Sequence, residues 1–386
     1  MGLENCAFVK YNKVMKTGIF GGAFDPPHVE HINICLNAAE EYNLERVVLL
    51  PSGNQPHKAS IAPQELRYNM AKAAAAPYSS LIVDDTEINY KGTAFASDIL
   101  PLMKEKYGKF FYIIGGDSLM SIRKWHRPDL ILSRYPLLVA LRGEDINEIN
   151  NEISVLKNQY NADIEILKYR AADISSSEIR AMLELEINVS KYLPQGVLEI
   201  IKKHNLYSGN KDIIDKLKGM VRESTFRHIG RTVLKAFELN EKLNLPYEKV
   251  FIAALLHDVA KDCKPLNRYR ALIPEDAISS PVMHAFQGAL IAELEFGITD
   301  SEVLNAIRYH TTGRAGMTGL ESLIFVSDML EEERDFLGVE RLREVIRKDY
   351  RQGVLSCIET LYHHLKDKKA KMYPLTEECY NYYKKE

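Results

Sequence analysis

The 386-residue sequence has no apolar run long enough to cross a bilayer and no leader-like segment. It has no basic excess either: 50 Lys and Arg face 53 Asp and Glu, a formal net charge of -3. The first absence excludes a spanning helix, and the second argues against a nucleic-acid scaffold, so neither a membrane nor a nucleic acid is expected as partner. Cysteine is scarce. Cys6, Cys35, Cys263, Cys357 and Cys379 are odd in number and contain no C-x-x-C pair. A disulfide framework is therefore not expected, and a reducing cytoplasm suits the chain. A myristoylation signal is missing as well, because Cys6 stands where Ser or Thr is required. Residues 1–14 read as a polar extension, and Met15 is a second candidate start. What remains, 46% hydrophobic and 27% charged residues, is ordinary for globular protein, in a length that exceeds what one core usually serves. Two domains are the expectation.

From Met15 to about Ile166 short apolar runs alternate with amphipathic segments: TGIFGG, RVVLLP, LIVDD, FFYIIG, PLLVAL and DIEIL. That alternation predicts a parallel α/β sheet. A helix from Ser175 and the segment YLPQGVLEIIKKHNLY would close this domain near Tyr207, with SGNKD as linker and a boundary near Gly209. The predicted domains are 1–208 and 211–386. Beyond the boundary, apolar residues recur at helical spacing through 213–242, 247–262, 283–296, 300–311, 319–336 and 339–366, which predicts an all-α second domain.

The stretch GIFGGAFDPPHVEH, Gly18 to His31, joins a strand end, a glycine turn, two prolines and a helix start. Gly21 and Gly22 let backbone amides approach an anion, and His28 and His31 fall on one face of the first helical turn. A second helix start lies at DISSSEIR, where Ser175 and Glu178 have capping-box spacing. Its amides near Ser176 and Ser177, the two hydroxyls and Arg180 would hold phosphates.

Together these segments resemble the (H/T)xGH and ISSTxIR signatures of the nucleotidyltransferase superfamily, and specifically bacterial nicotinate mononucleotide adenylyltransferases, over about residues 15–207. PSGNQPHK at 51–58, IIGGDSL at 113–119, Trp125 and PLLVALR at 136–142 are similar to the family's middle motifs. The resemblance implies a Rossmann-like nucleotidyltransferase domain and adenylyl transfer from ATP to nicotinate mononucleotide. His28 and His31 would contact the triphosphate, Lys58 and Arg180 would add positive charge, and Mg²⁺ would shield the phosphates. Gly21, Gly22, Phe24, Asp117, Trp125, Ser176 and Ser177 carry over as ATP- or substrate-binding residues. Three positions depart from the pattern: Glu30 replaces the glycine between the histidines, Ala23 a threonine, and Ala94-Phe95-Ala96 the common SYT. The last leaves nicotinamide mononucleotide open as an alternative substrate. The Glu30 side chain is expected to point away from the phosphates, towards solvent or a cation.

In the helical half, His228, the His257-Asp258 pair, His284, His310 and Asp328 each stand in a separate helical segment at an apolar boundary, as in FIAALLHDVAK. A charge buried there costs several kcal/mol unless compensated, which metal coordination does. Four imidazoles and two carboxylates exceed the needs of one tetrahedral zinc and suggest two metals bridged by Asp258, with iron or manganese favoured by the mixed donors. The order H…HD…H…H…D, with HTTG at 310–313 and SDMLEEER, resembles bacterial HD-domain symmetrical diadenosine tetraphosphate hydrolases over about residues 211–380. Ser327 and Glu332 depart from that pattern without removing a ligand. The resemblance implies a di-iron centre, cleavage of diadenosine tetraphosphate to two ADP, and Lys261 as a phosphate contact. Another nucleotide substrate, or a metal-stapled sensing or dimerisation module that does not cleave, remains open at this point, as does self-association into a homo-oligomer.

Overall fold

The computed structural model describes residues 16–53, 61–264, 267–278, 280–370 and 372–385. The chain divides into two compact units, one of residues up to Arg180 with Asn188–Tyr207, the other of Ala181–Ile187 with Ser208–Glu386.

The first unit is built on six parallel strands, β1 (Thr17–Gly22), β2 (Arg46–Pro51), β3 (Leu81–Val83), β4 (Phe110–Gly115), β5 (Leu137–Leu141) and β6 (Ile164–Arg170). Their order is β3-β2-β1-β4-β5-β6, the Rossmann-like arrangement. The apolar runs of the sequence correspond to these strands because helices cover both sheet faces, so alternation gives way to continuous burial: every residue of β5 is buried. β1 and β4 adjoin at the point where the strand order reverses, and the crevice beyond their carboxyl ends is where such sheets take ligands. Helix Val29–Glu41 follows β1, and helix Gly116–Ser121 follows β4. Gly53 follows β2, where any side chain would collide with the Glu87 carbonyl oxygen, 2.3 Å from a Cβ built there.

The second unit is helical, around a core that includes Phe237, Phe251, Ile291, Ile324 and Cys357. The stretch 213–242, expected as one helical run, is two helices, Lys211–Lys218 and Glu223–Asn240, separated at Gly219. The run 339–366 likewise breaks into Val339–Lys348 and Tyr350–Asp367, because Asp349 ends one helix and caps the next by accepting the Gln352 amide at 3.0 Å. A final helix, Pro374–Tyr383, lies beyond the predicted segments. Among the described residues no helix is long and apolar enough to cross a membrane.

Candidate functional sites

His28 caps helix Val29–Glu41, and its backbone N–H donates to His31 Nδ1 at 3.1 Å. That bond fixes the tautomer of a neutral His31: Nδ1 accepts, so Nε2 carries the proton. The two rings lie 3.7 Å apart between centroids, and Phe24 meets His31 edge-on at 5.1 Å. Phe24 itself is 1% exposed, its ring packed against Phe20 and His31. Burial, and next the Arg142 charge, push the His28 imidazole down to about 3. His28 is thus a neutral hydrogen-bonding group at pH 7, and positive charge must come from elsewhere.

The depressed value has a stability consequence. Above about pH 6.5 both folded and unfolded His28 are neutral; as pH falls towards 3 only the unfolded chain takes the proton, so stability is lost on acidification through that window. Between about pH 7 and pH 5 the unfolding free energy should acquire a slope approaching about 1.4 kcal/mol per pH unit from this group. Urea titrations of the wild type and His28→Asn measure it; identical slopes in the two proteins would show that His28 contributes nothing.

The second helix start is built as its spacing foretells. Ser175 N–H and Oγ each donate to Glu178 Oε2 at 2.9 Å, and Glu178 N–H returns to Ser175 Oγ at 3.2 Å. Helix Ser176–Glu184 follows. Its hydroxyls and arginine make bonds within the chain. Ser176 Oγ donates to the Pro26 carbonyl at 2.9 Å, while Arg180, 5% exposed, donates from Nη1 to the Asp25 carbonyl at 2.6 Å and from Nη2 to Ser177 Oγ at 2.9 Å. These bonds staple the DISSS turn to the Asp25-Pro26 turn and hold the two helix starts side by side. Asp25 is anchored in turn by Tyr207 Oη at 2.7 Å and by the amides of Ile61 and Ala62 at 2.8 and 3.2 Å.

Glu30 is buried, and its bonds among the described residues are to neutral groups. It is 7% exposed and accepts from Tyr169 Oη at 2.8 Å, the Ala172 amide at 3.0 Å and Asn33 Nδ2 at 3.0 Å. Three neutral donors satisfy the carboxylate and tie the histidine helix to β6 and the turn that leads to DISSS.

Asp117 stands in the first turn after β4, its side chain 67% exposed and 3.9 Å from Arg142. Trp125 is half-buried and donates to Ser121 Oγ at 3.4 Å. Next to it in sequence, His126 stacks on Phe95 at 4.3 Å and pairs with Ser97 Oγ at 3.0 Å. Lys58 lies outside the described residues. Arg142, which sequence reasoning left as part of a strand motif, follows β5 and stands among the other groups: its charge acts on His28, it neighbours Asp117, and Nη1 reaches the Ile174 carbonyl at 3.4 Å. The signal was available, since a cation just past the carboxyl end of a parallel strand lies at the end of the sheet where ligands bind.

In the helical unit all six proposed ligands converge. Asp258, 1% exposed, turns one oxygen each way: Oδ1 lies 3.3 Å from His284 Nε2 and 3.5 Å from His310 Nε2, whereas Oδ2 lies 3.6 Å from His228 Nε2 and 3.7 Å from His257 Nε2. Asp328 Oδ1 is 3.0 Å from His228 Nε2 and 3.9 Å from His257 Nε2. Two overlapping groups, His228–His257–Asp328 and His257–Asp258–His310, have their donor atoms close enough to share ions. The donor set is compatible with metal binding, since a carboxylate with one oxygen per side and four imidazoles presenting Nε2 inwards are suitable ligands.

The charged groups of this pocket shift one another. Burial alone would lower His228, but Asp328 and Glu331 overcome it and hold the imidazole up at about 9; burial takes His257 down to about 4. Against the opposing effect of their own burial, the neighbouring imidazoles hold the Asp258 and Asp328 carboxyls well below the carboxylate range. Lys261 Nζ lies 3.4 Å from both Asp258 Oδ1 and His284 Nε2, and Thr311 Oγ1 lies 3.0 Å from His310 Nε2. Further residues of the pocket, Thr311, Glu331 and Arg334 among them, went unassigned in the sequence; Glu331 sits three residues after Asp328, one turn on, and Arg334 pairs with both.

Fold and sites define a Rossmann-like nucleotidyltransferase unit accompanied by an HD domain. Residues 19–182 match the cytidylyltransferase-like family model, and residues 225–378 match the HD domain model. A Clostridium acetobutylicum protein named "Probable nicotinate-nucleotide adenylyltransferase" is 36% identical over 197 residues, 50% of this chain and 98% of that protein. A Clostridium botulinum protein of the same name is 34% identical over 193 residues, 49% of this chain and 96% of its own length. Over its N-terminal half the chain belongs to the nicotinate-nucleotide adenylyltransferase family. A crystal structure from Clostridium acetobutylicum, titled "predicted HD superfamily hydrolase involved in NAD metabolism", is 30% identical and covers 46% of this chain and 97% of its own, with a TM-score of 0.43.

Proposed function

We propose that the chain is bifunctional: residues 1–208 transfer the adenylyl group of ATP to nicotinate mononucleotide, and residues 211–386 hydrolyse diadenosine tetraphosphate symmetrically to two ADP. In the first reaction a phosphate oxygen of the mononucleotide attacks the α-phosphorus of ATP, the bond to the β-phosphate breaks, and pyrophosphate leaves as deamido-NAD forms. Neither step needs a covalent enzyme intermediate, so alignment and charge stabilisation carry the catalysis. His31 Nε2–H and the neutral His28 supply hydrogen bonds to phosphate oxygens, and Arg142 supplies the nearby positive charge. Arg180 with Ser176 and Ser177 positions the turn whose amides face the phosphates. Gly21 and Gly22 let backbone amides approach a phosphate closely, and Asp117 and Trp125 serve the nucleoside and pyridine ends. Magnesium, entering with ATP, shields the triphosphate.

In the second unit, His228, His257, Asp258, His284, His310 and Asp328 would hold two ions, iron or manganese. When bound, such a pair supplies charge stabilisation at the scissile phosphate and an activated water. Water then adds at a phosphorus flanking the central bridging oxygen, that bond breaks, and each half leaves as ADP. Lys261, partly exposed beside Asp258, is placed to receive a phosphate of the chain.

The observation that carries this reading is the convergence of four Nε2 atoms on one buried, two-sided carboxylate. The full-length chain, loaded anaerobically with iron or manganese, should convert diadenosine tetraphosphate to ADP alone on ion-exchange chromatography. ATP plus AMP would mean an asymmetric cut, and no product would leave another substrate or a sensing module in its place.

A further inference from the structure

The four imidazoles of the HD centre are not held alike. His257 Nδ1 bonds the Ala254 carbonyl at 2.7 Å, His284 Nδ1 the Pro281 carbonyl at 2.8 Å, and His310 Nδ1 the Ile307 carbonyl at 2.8 Å. Each of these three is oriented by a carbonyl three residues back in its own segment. Of the four Nδ1 atoms, that of His228 is the one held by a side chain among the described residues: it pairs with Glu331 Oε1 at 3.1 Å.

Glu331 is itself over-determined. It is 2% exposed, Oε2 accepts from Arg231 Nε at 2.6 Å and from the Glu333 amide at 2.9 Å, and Arg231 stands one turn after His228 on helix Glu223–Asn240. Arg231 also pairs with Glu333 at 3.0 Å. On the facing element Glu331 closes helix Gly319–Leu330, one turn beyond Asp328. The His228/Arg231 face thus meets the Asp328/Glu331 end of that helix residue for residue, with both carboxylates on the same imidazole, one at each nitrogen.

A carboxylate behind a metal-bound imidazole fixes its tautomer, restrains its ring and raises its basicity, whereas a main-chain carbonyl gives the first two with less of the third. We infer that Glu331, locked by Arg231, is the positioning residue of one metal position, that of His228 and Asp328, and that this makes the two positions of the centre unequal and separable. The inference rests on the reading of these residues as a two-metal centre. The position built from His284, His310 and Asp258 has no such dependence, because its imidazoles are oriented from within their own segments.

The test uses Mn²⁺ alone, titrated into the chelator-stripped full chain, with bound equivalents, electron paramagnetic resonance and thermal melting as readouts. The wild type should take two equivalents and give an exchange-coupled signal. Glu331→Gln should retain one equivalent and bind the other about 10- to 100-fold more weakly, leaving a mononuclear six-line signal. His228→Ala should reproduce that pattern. Two equivalents held as in the wild type by Glu331→Gln would overturn the inference, as would loss of both with melting unchanged. Should Glu331→Gln fail to fold, Arg231→Lys decides: a single equivalent weakened about tenfold supports the inference, and unchanged binding of both overturns it. A wild type that takes fewer than two equivalents would instead sink the two-metal reading beneath it, and the inference with it.

Discussion

Asp258→Asn should lower diadenosine tetraphosphate hydrolysis by at least about 10³-fold, because a metal pair supplies several kcal/mol of transition-state stabilisation and this residue faces both positions. Its two oxygens lie within 3.3 to 3.7 Å of all four imidazoles, so an amide in its place removes the negative charge and turns an NH₂ towards one pair of donors. The variant also loses the anion that offsets Lys261 at 3.4 Å. Adenylyl transfer, measured on the same preparation as deamido-NAD formed, should be unaffected. Hydrolysis within tenfold of wild type after full metal loading would remove Asp258 from the bridging role. A parallel fall in both activities would mark general unfolding instead.

The other large effect is expected at His31. His31→Ala removes the Nε2–H donor and the acceptor that holds the His28 amide, and it strips the ring that packs on Phe24 and His28. Loss of one preorganised donor of this kind costs about 10²- to 10³-fold in turnover. Initial rates of pyrophosphate release should therefore fall by that factor, with hydrolysis of diadenosine tetraphosphate retained. His31→Asn, which can present an amide N–H from a similar place, should recover part of the loss. If both variants keep wild-type kcat/KM, the phosphate contacts lie elsewhere and His31 serves the helix start alone.

The sheet was readable because its chemistry is redundant. A parallel strand covered on both faces needs a continuous apolar run, and FFYIIG or PLLVAL has little else it can become. Helix ends were less readable: Gly219 and Asp349 interrupt otherwise periodic stretches, and periodicity does not say where a cap will win. Among the candidate site residues, the six of the HD pocket are separated by up to a hundred positions in sequence, yet each announces itself as a polar group at an apolar boundary. Glu331 did not, since SDMLEEER offers four acidic side chains, and only the folded packing that sets one of them between His228 and Arg231 selects it. Arg180 and Glu30 were readable as charged but not as internal ties. Both depend on which backbone carbonyl, hydroxyl or amide comes within 3 Å, and that is a property of the folded turns.

The helical unit does not begin where its main run of sequence begins. Ala181 and Leu185 are part of its apolar core, and Glu184 accepts from the Asn210 amide at 3.0 Å and from Tyr247 Oη at 3.2 Å. These residues stand upstream of Asn188–Tyr207, which folds with the sheet. Scissors applied at a single peptide bond therefore cannot part this chain cleanly: a fragment starting at residue 211 inherits an open socket where Ala181 and Leu185 belong, and its counterpart carries the orphaned plug into water.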